Sequence, residues 1–229
     1  MSAGDLLPAF AFIHAKGASE RVPNKNLALV GSRPLIGWAI ENAFQSGCFQ
    51  EIYIDSDDQR ILEAGARMGA TPFERPAALA SNNTTGDELA FRQAELVGDE
   101  AVMAQVIPTS PFLKPETIAR AVEMCRLEGG PSVFSAEEKP HFSWRSGRPE
   151  YFDSMGRLMT SQDLPRMLEE TTGLYVSRTS VVREKGRRID ISNAQPIIVT
   201  PLEAIDINTP DDLVLARIVA TGLEAQPIK

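Results

Sequence analysis

Cysteine is nearly absent from this sequence: 229 residues contain two, Cys48 and Cys125, far apart in the chain. That is too few for a disulfide framework or a thiolate zinc site, and it suits a reducing cytoplasm. Histidine is equally scarce, so His14 and His141 cannot make a multi-histidine metal centre without several carboxylates. Positive charge is in deficit, with 23 Lys plus Arg against 31 Asp plus Glu and a formal net charge of −8. Nucleic acids and membrane surfaces both call for a positive field, so neither is expected as a partner. No apolar run approaches the ~20 residues of a membrane span. Met1-Ser2-Ala3-Gly4-Asp5 has no basic stretch of the secretory kind. Neither a GxxxxGK[ST] nor a GxGxxG loop occurs, and there is no internal repeat. The expectation is a cytoplasmic protein with one core, a single domain over 1–229, since domains run to roughly 150 residues.

What is present is an alternation of short apolar runs with amphipathic stretches. Ala9 to Ala15 reads as a strand buried on both faces. Pro34 opens a helix whose Leu35, Trp38, Ala39 and Ala43 keep helical spacing up to Gly47. Ile52 to Ile54 reads as a strand, Gln59 to Met68 as a helix capped by Asp57, and Thr71 to Phe73 as a third strand. Helices are then expected over Asp87–Val97 and Pro115–Leu127, and strands over Val102–Ile107 and Ser132–Ser135. The rhythm breaks over 137–168, where prolines, glycines and the aromatics His141, Phe142, Trp144, Tyr151 and Phe152 indicate an irregular or β-hairpin excursion. A long surface insertion is the plain alternative, but loops of this length serve function or assembly, and exposed aromatics favour an interface. The parallel pattern is expected to resume at Gly173–Val176, before a last helix from Pro210 to about Ala220. Strands alternating with helices imply a doubly wound, mostly parallel α/β sheet.

In such sheets ligands bind beyond the carboxyl ends of the strands. The first strand-to-helix loop combines small residues with cations: Ala15, Lys16, Gly17, Ala18, Ser19, Glu20, Arg21, Val22, Pro23, Asn24, Lys25 and Asn26. Lysines and backbone N–H groups of this kind can hold a polyphosphate, although a solvated loop has the same composition.

The stretch Lys16 to Asn26 resembles the opening motif of the acylneuraminate cytidylyltransferases, the CMP-sialic acid synthetases. The similarity continues in order through Pro34-Leu35-Ile36-Gly37-Trp38, Ile54-Asp55-Ser56-Asp57-Asp58 and Arg75-Pro76-Ala77-Ala78-Leu79-Ala80. It runs on through Pro108-Thr109-Ser110-Pro111, Ser161-Gln162-Asp163-Leu164-Pro165, Gly173-Leu174-Tyr175 and Ala204 to Asp212.

This resemblance implies a nucleotide-diphospho-sugar transferase-like sheet with a β-rich dimerisation excursion, hence a homodimer. It implies CMP transfer from CTP to a 2-keto-3-deoxy sugar acid of the nonulosonic, sialic-acid-like kind. The anomeric hydroxyl attacks the α-phosphate, and pyrophosphate leaves with Mg²⁺ assistance. Such chemistry needs positioning and charge neutralisation more than covalent catalysis. By the family pattern Lys16 and Lys25 hold the triphosphate, with Ser19 and the loop N–H groups at Ala15 and Gly17. Asn26 and Arg75 read cytosine, and Ala80 to Thr85 line the ribose. Ile107, Thr109, Ser110 and Gln162 fall on the sugar side. Asp206 and Asn208 bind Mg²⁺, a hard cation suited to oxygen ligands.

The sequence also departs from the pattern. Lys16 replaces an Arg, which turns a bidentate grip into a point charge. Glu20 adds a carboxylate, Ile107 replaces a Gln that faces the sugar, and Asn208 replaces the second Asp of Asp-x-Asp. Glu170, Thr171 and Thr172 stand for the Arg, Pro and Asn that precede the family's glycine turn. The nucleotide half is kept better than the sugar half. Two alternatives therefore stand: a nucleotidyltransferase for Kdo, 8-amino-Kdo or another sugar, and a catalytically weakened homologue that only binds nucleotide.

Isolated polar residues have plainer readings. His14 is a satisfied strand-end residue or, through titration near neutral pH, a modulator of the triphosphate pocket. Asp57, Asp58, Asp211 and Asp212 suit helix N-termini. Asp206 precedes its helix and, with Thr209 available as cap, reads as a ligand. Lys139, His141 and Arg145 either contact the sugar acid or form a solvated hairpin face.

Overall fold

A computed structural model describes residues 6–150, Gly156, Thr160 and 162–225; Tyr151, Phe152 and Ser161, named above, lie outside the described residues. The chain runs β1 (Ala9–His14), β2 (Leu29–Val30), β3 (Arg33–Pro34), α1 (Leu35–Gln45), β4 (Glu51–Ser56), α2 (Gln59–Arg67) and β5 (Thr71–Glu74). It continues through α3 (Gly86–Val97), β6 (Val102–Val106), α4 (Pro115–Arg126), β7 (Ser132–Pro140), β8 (Trp144–Arg145), β9 (Arg148–Pro149) and β10 (Arg166–Arg178). It closes with α5 (Thr179–Lys185), β11 (Ala194–Ile198) and α6 (Pro210–Glu224). Seven strands make one sheet in the order β11-β7-β10-β6-β1-β4-β5.

Period-two alternation sends the β1 side chains to two cores. Ala9, Ala11 and Ile13 join Ile36, Ile40, Ile61 and Ile118 of α1, α2 and α4. On the opposite face Phe12 packs with Ala90, Ala94 and Val182 of α3 and α5. Covering both faces of the sheet forces its central strands to be apolar throughout, which is why β6 is buried along its whole length. A third cluster seats α6 through Leu213, Ala216 and Ala220 on Leu35, Phe112 and Ile207. Cys48 and Cys125 are free thiols. Among the described residues no helix is long and apolar enough to cross a membrane.

Two expectations are corrected. Gly173–Val176 does not resume the parallel pattern, because β10 runs antiparallel to both β6 and β7. The chain reaches β10 by returning along β7 (Arg166 opposite Pro140, Glu170 opposite Ala136), and a direct return of this kind makes neighbours antiparallel. The two ends of the 137–168 excursion, 137–140 and 166–168, belong to this ladder, with the small β8–β9 pair between its strands. The second correction concerns the cap of α2. Asp58, not Asp57, accepts the Arg60 N–H at 2.8 Å, while Asp57 accepts the Gly17 N–H at 3.0 Å.

Candidate active site

The loops following β1, β5 and β6 meet at the carboxyl ends of the sheet around a cavity of about 440 Å³. Ligand pockets typically have volumes of about 300–1,000 Å³. Lys16, Ser19, Lys25, Asn26, Arg75, Ile107 and Thr109 all line it, together with His14, Glu20, Arg21, Ser81, Asn82, Thr84 and Arg188.

The first loop is folded by its own polar groups. Asn24 takes the left-handed conformation (φ 51°) that Asn tolerates, starting a short 3₁₀ turn over Lys25–Leu27. Buried Asn26 then donates to the Lys16 carbonyl at 2.8 Å, closing the loop on itself. Gly17 passes so near α2 that a Cβ there would lie 2.6 Å from the Asp58 Cβ, so only glycine fits. The Ala15 N–H donates to Asp55 at 2.9 Å and the Gly17 N–H to Asp57, so both are occupied and neither residue lines the cavity. Lys16 Nζ donates to Asn82, and Asn82 in turn to Glu20. Lys25 Nζ donates to the Ile207 carbonyl at 2.9 Å. Burial lowers the pKa of the Lys25 ammonium, opposed by nearby Asp206.

Arg75 is held from below. Its Nε meets Asp55 Oδ1 and its Nη2 the Asp55 carbonyl, both at 2.9 Å, with Asp55 fully buried. Asp55 Oδ2 accepts from Gln93 at 2.8 Å, and Gln93 Oε1 from Gln105 at 2.9 Å. This network was not legible in the sequence: Asp55 stood out only as part of a strand end, and Gln93 lies on a helix 38 residues away.

His14 is corrected as a modulator. Burial, with Arg75 and Arg188 close by, brings its pKa from 6.5 down to about 3, so the ring stays neutral near pH 7. Its Nδ1 is buried with no partner among the described residues.

The loop before α6 arrives through the Ile207 N–H, which donates to the Thr109 carbonyl at 2.9 Å. Thr209 and Asp212 cap α6 reciprocally, as the Thr-Pro-Asp-Asp sequence implies. Asp206 is therefore free of capping. Its Oδ1 is buried with no partner among the described residues, while its Oδ2 accepts from Asn208 Nδ2. The Asn208 Oδ1 accepts from Arg21 at 3.1 Å. Asn208 thus orients Asp206 and commits its own oxygen to Arg21. Among the described residues no group of three or more His, Cys, Asp or Glu gathers for a metal. A buried, unspent carboxylate oxygen nevertheless fits Mg²⁺, which is commonly held by one or two carboxylates with substrate phosphates and water.

The remaining expected residues lie off the cavity wall. Thr85 caps α3 in a capping box with Glu88, and Ala80 ends a 3₁₀ turn. Ser110 is buried under Gly173, where a Cβ would come within 2.8 Å of its Oγ. Gln162 is exposed in a turn. Arg188, on the far wall, carried no signal in the sequence, being one of 23 cations in no motif.

Comparison with known proteins gives four findings. A family model described as cytidylyltransferase matches residues 10–186. The CMP-N,N'-diacetyllegionaminic acid synthase of Legionella pneumophila is 33% identical, over 90% of this chain and 94% of that protein. The N-acylneuraminate cytidylyltransferase A of Danio rerio is 28% identical over 59% of this chain, which spans only 31% of that longer protein. Among solved structures, CMP:2-keto-3-deoxy-manno-octonic acid synthetase complexed with CTP superimposes with a TM-score of 0.70. That match is 15% identical and covers 94% of this chain and 99% of that one, a likeness of fold.

Proposed function

The chain belongs to the cytidylyltransferase family and is a nucleotidyltransferase, and from that premise we propose that it transfers CMP from CTP to a nonulosonic 2-keto-3-deoxy sugar acid, releasing pyrophosphate. The observation that carries this reading is the convergence of Lys16, Lys25, Arg75 and Thr109 on one cavity at the strand ends, with Asp206 beside Lys25. The near full-length relative from Legionella pneumophila, named for a diacetylated legionaminic acid, supports an acceptor of this class.

Lys16 and Lys25 neutralise the triphosphate, and its arrival favours the charged form of half-buried Lys25. Arg75, fixed by Asp55, and Asn26 present rigid donors and acceptors to the base, so recognition costs little ordering on binding. The acceptor's anomeric oxygen forms the new bond to the α-phosphorus as the bond to pyrophosphate breaks; the electron pair leaves with pyrophosphate and the hydroxyl proton is released to water. With a pKa of about 3, His14 is not the group that takes the hydroxyl proton near neutral pH. Asp206 is the residue that would hold Mg²⁺, which supplies charge neutralisation to the phosphates when bound.

Mg²⁺ dependence, a single domain, a cytoplasmic setting and a homodimer joined through 137–168 belong to the same proposal. Exposed Phe142, Trp144 and Leu168 support the last. The test is pyrophosphate release with CTP and Mg²⁺ across N-acetylneuraminate, legionaminate, pseudaminate, Kdo and 8-amino-Kdo. Release with a nine-carbon acid, abolished by EDTA, is expected. Release with Kdo alone would move the acceptor to the eight-carbon acids. Silence with every acid, with CTP binding intact, would favour a homologue that only binds nucleotide.

A further inference from the structure

We propose that Arg188 is the specificity-determining cation of the acceptor subsite, placed to receive the carboxylate of the sugar acid. The inference rests on the cytidylyl-transfer reading above and assigns a role to a residue that no motif marks.

Arg188 lines the cavity, and its guanidinium carbon lies 3.5 Å from the centroid of the Tyr175 ring. On another side it meets the start of α3, where a Cβ on Gly86 would approach its Nη1 to 2.5 Å. The backbone is fixed as well: the Arg188 N–H donates to Asp87 at 2.9 Å, and its carbonyl accepts from Ser177 at 2.6 Å. Yet among the described residues no carboxylate or carbonyl accepts from the guanidinium. Arg33, Arg60, Arg75 and Arg183 each pair with an Asp or Glu, and Arg21 donates to Asn208. Arg188 is therefore positioned by packing while its N–H groups stay available at a ligand cavity.

Its place in the sheet says which ligand. Tyr175 lies on β10 opposite Gln105 of β6, two strands across from β1 and its lysine loop. Ile107 follows β6 and lines the same cavity, adding apolar wall. A guanidinium stacked on a ring keeps its plane and offers two parallel N–H bonds, which matches a carboxylate. Beside hydrocarbon such a pair is less screened than in water. The triphosphate already has Lys16 and Lys25, Arg75 is paired with Asp55 and Arg21 donates to Asn208, so among the arginines lining the cavity Arg188 is the one from whose guanidinium no described residue accepts.

The test compares wild type, Arg188→Ala and Arg188→Lys, using the sugar acid that wild type turns over and its primary amide. In Arg188→Ala the KM for the acid should rise about tenfold to hundredfold, the scale of a lost charge-assisted pair. The KM for CTP should stay within about twofold, and Arg188→Lys should recover part of the loss. Wild type should prefer the acid over the amide, and Arg188→Ala should lose that preference, an outcome a purely structural role would not produce. A raised KM for CTP with an unchanged acid KM, or an undiminished acid preference in Arg188→Ala, overturns the proposal. Calorimetry with N-acetylneuraminate and its amide on the CTP-bound proteins separates this from the parent reading. Wild type that turns over no acid strikes the cytidylyl-transfer reading, whereas equal acid and amide affinities in wild type, or binding of neither, strike Arg188.

Discussion

On the β1–β4–β5 side of the cavity Arg75 is locked to buried Asp55, and Asp55 to Gln93, which in turn accepts from Gln105 of β6. On the β6–β10 side Ser110 Oγ has no partner among the described residues and Arg188 is held by a ring and a glycine. The first wall is rigid because displacing Arg75 or Asp55 would leave a buried charge unpaired. The second keeps hydrogen-bonding capacity in hand. A nucleotide that never varies is well served by the first arrangement, and an acceptor that differs between relatives by the second.

Asp206 lies where the two sides meet and carries the largest expected effect. Asp206→Ala should lower Mg²⁺-dependent pyrophosphate release about thousandfold, the scale of a lost charge-stabilising group at a phosphoryl centre. CTP affinity measured without divalent ion should change only a few-fold. A loss of turnover below about tenfold would detach Asp206 from the reacting phosphate.

The two walls should also differ in what they give the fold. Asp55→Ala strands a buried guanidinium and is expected to cost about 3–5 kcal/mol of unfolding free energy. Arg188→Ala removes no ion pair and should cost about 1 kcal/mol or less. Urea denaturation of both variants checks this, and equal losses would erase the contrast between spent and unspent groups.

His14 belongs to the first wall by strand and to the cavity by exposure, and its titration reports on that wall. Its folded pKa of about 3 lies below the ordinary 6.5, so the unfolded chain binds the proton more readily. The stability this gives is present above about pH 6.5 and is lost as pH falls toward 3. One such group accounts for about 2 kcal/mol between about pH 6 and pH 4.5. His14→Leu should flatten the acid limb of stability against pH by that amount. An unchanged limb would mean that His14 is solvated and the wall looser than its geometry.

The asymmetry extends to what the sequence discloses. β1, α1 and the Lys16–Asn26 loop were legible because apolar spacing and adjacent cations lie in consecutive residues. The Thr209 cap was legible for the same reason. Strand direction was not: Leu174-Tyr175-Val176 is buried on both faces whichever way it runs, and only the length of the β7 ladder turns it antiparallel. Asp57 and Asp58 could not be told apart as caps, since the Gly17 N–H that engages Asp57 comes from a distant loop. His14 read as a satisfied strand-end residue or one titrating near neutral pH, because its burial, its two neighbouring arginines and an Nδ1 without a partner among the described residues are properties of the fold. Asp55 with Gln93, and Arg188 with Tyr175, are pairings across the fold that spacing cannot express.

The smallest effect tests whether slack on the second side is confined to side chains. Between Glu170 and Tyr175 the β10 register against β7 shifts, and Thr172 in that bulge has φ 55°. A β-branched residue there sits in the left-handed region that disfavours it by about 1–2 kcal/mol. The bulge is held otherwise by Ser135, whose Oγ accepts from the Leu174 N–H at 3.0 Å and from the Thr171 hydroxyl at 2.8 Å. The exposed Thr172 side chain contributes nothing to that pair, so Thr172→Asn should keep the bulge and raise stability by about 0.5–1 kcal/mol. The measurement is a higher urea midpoint at unchanged slope. Because Gly173 beside it covers Ser110, the same variant should keep its KM for the acid if the bulge is only a turn. A stabilised variant with a weakened acid KM would mean that backbone strain at Thr172 holds the acceptor wall in place, and the slack on this side would then be structural as well as polar.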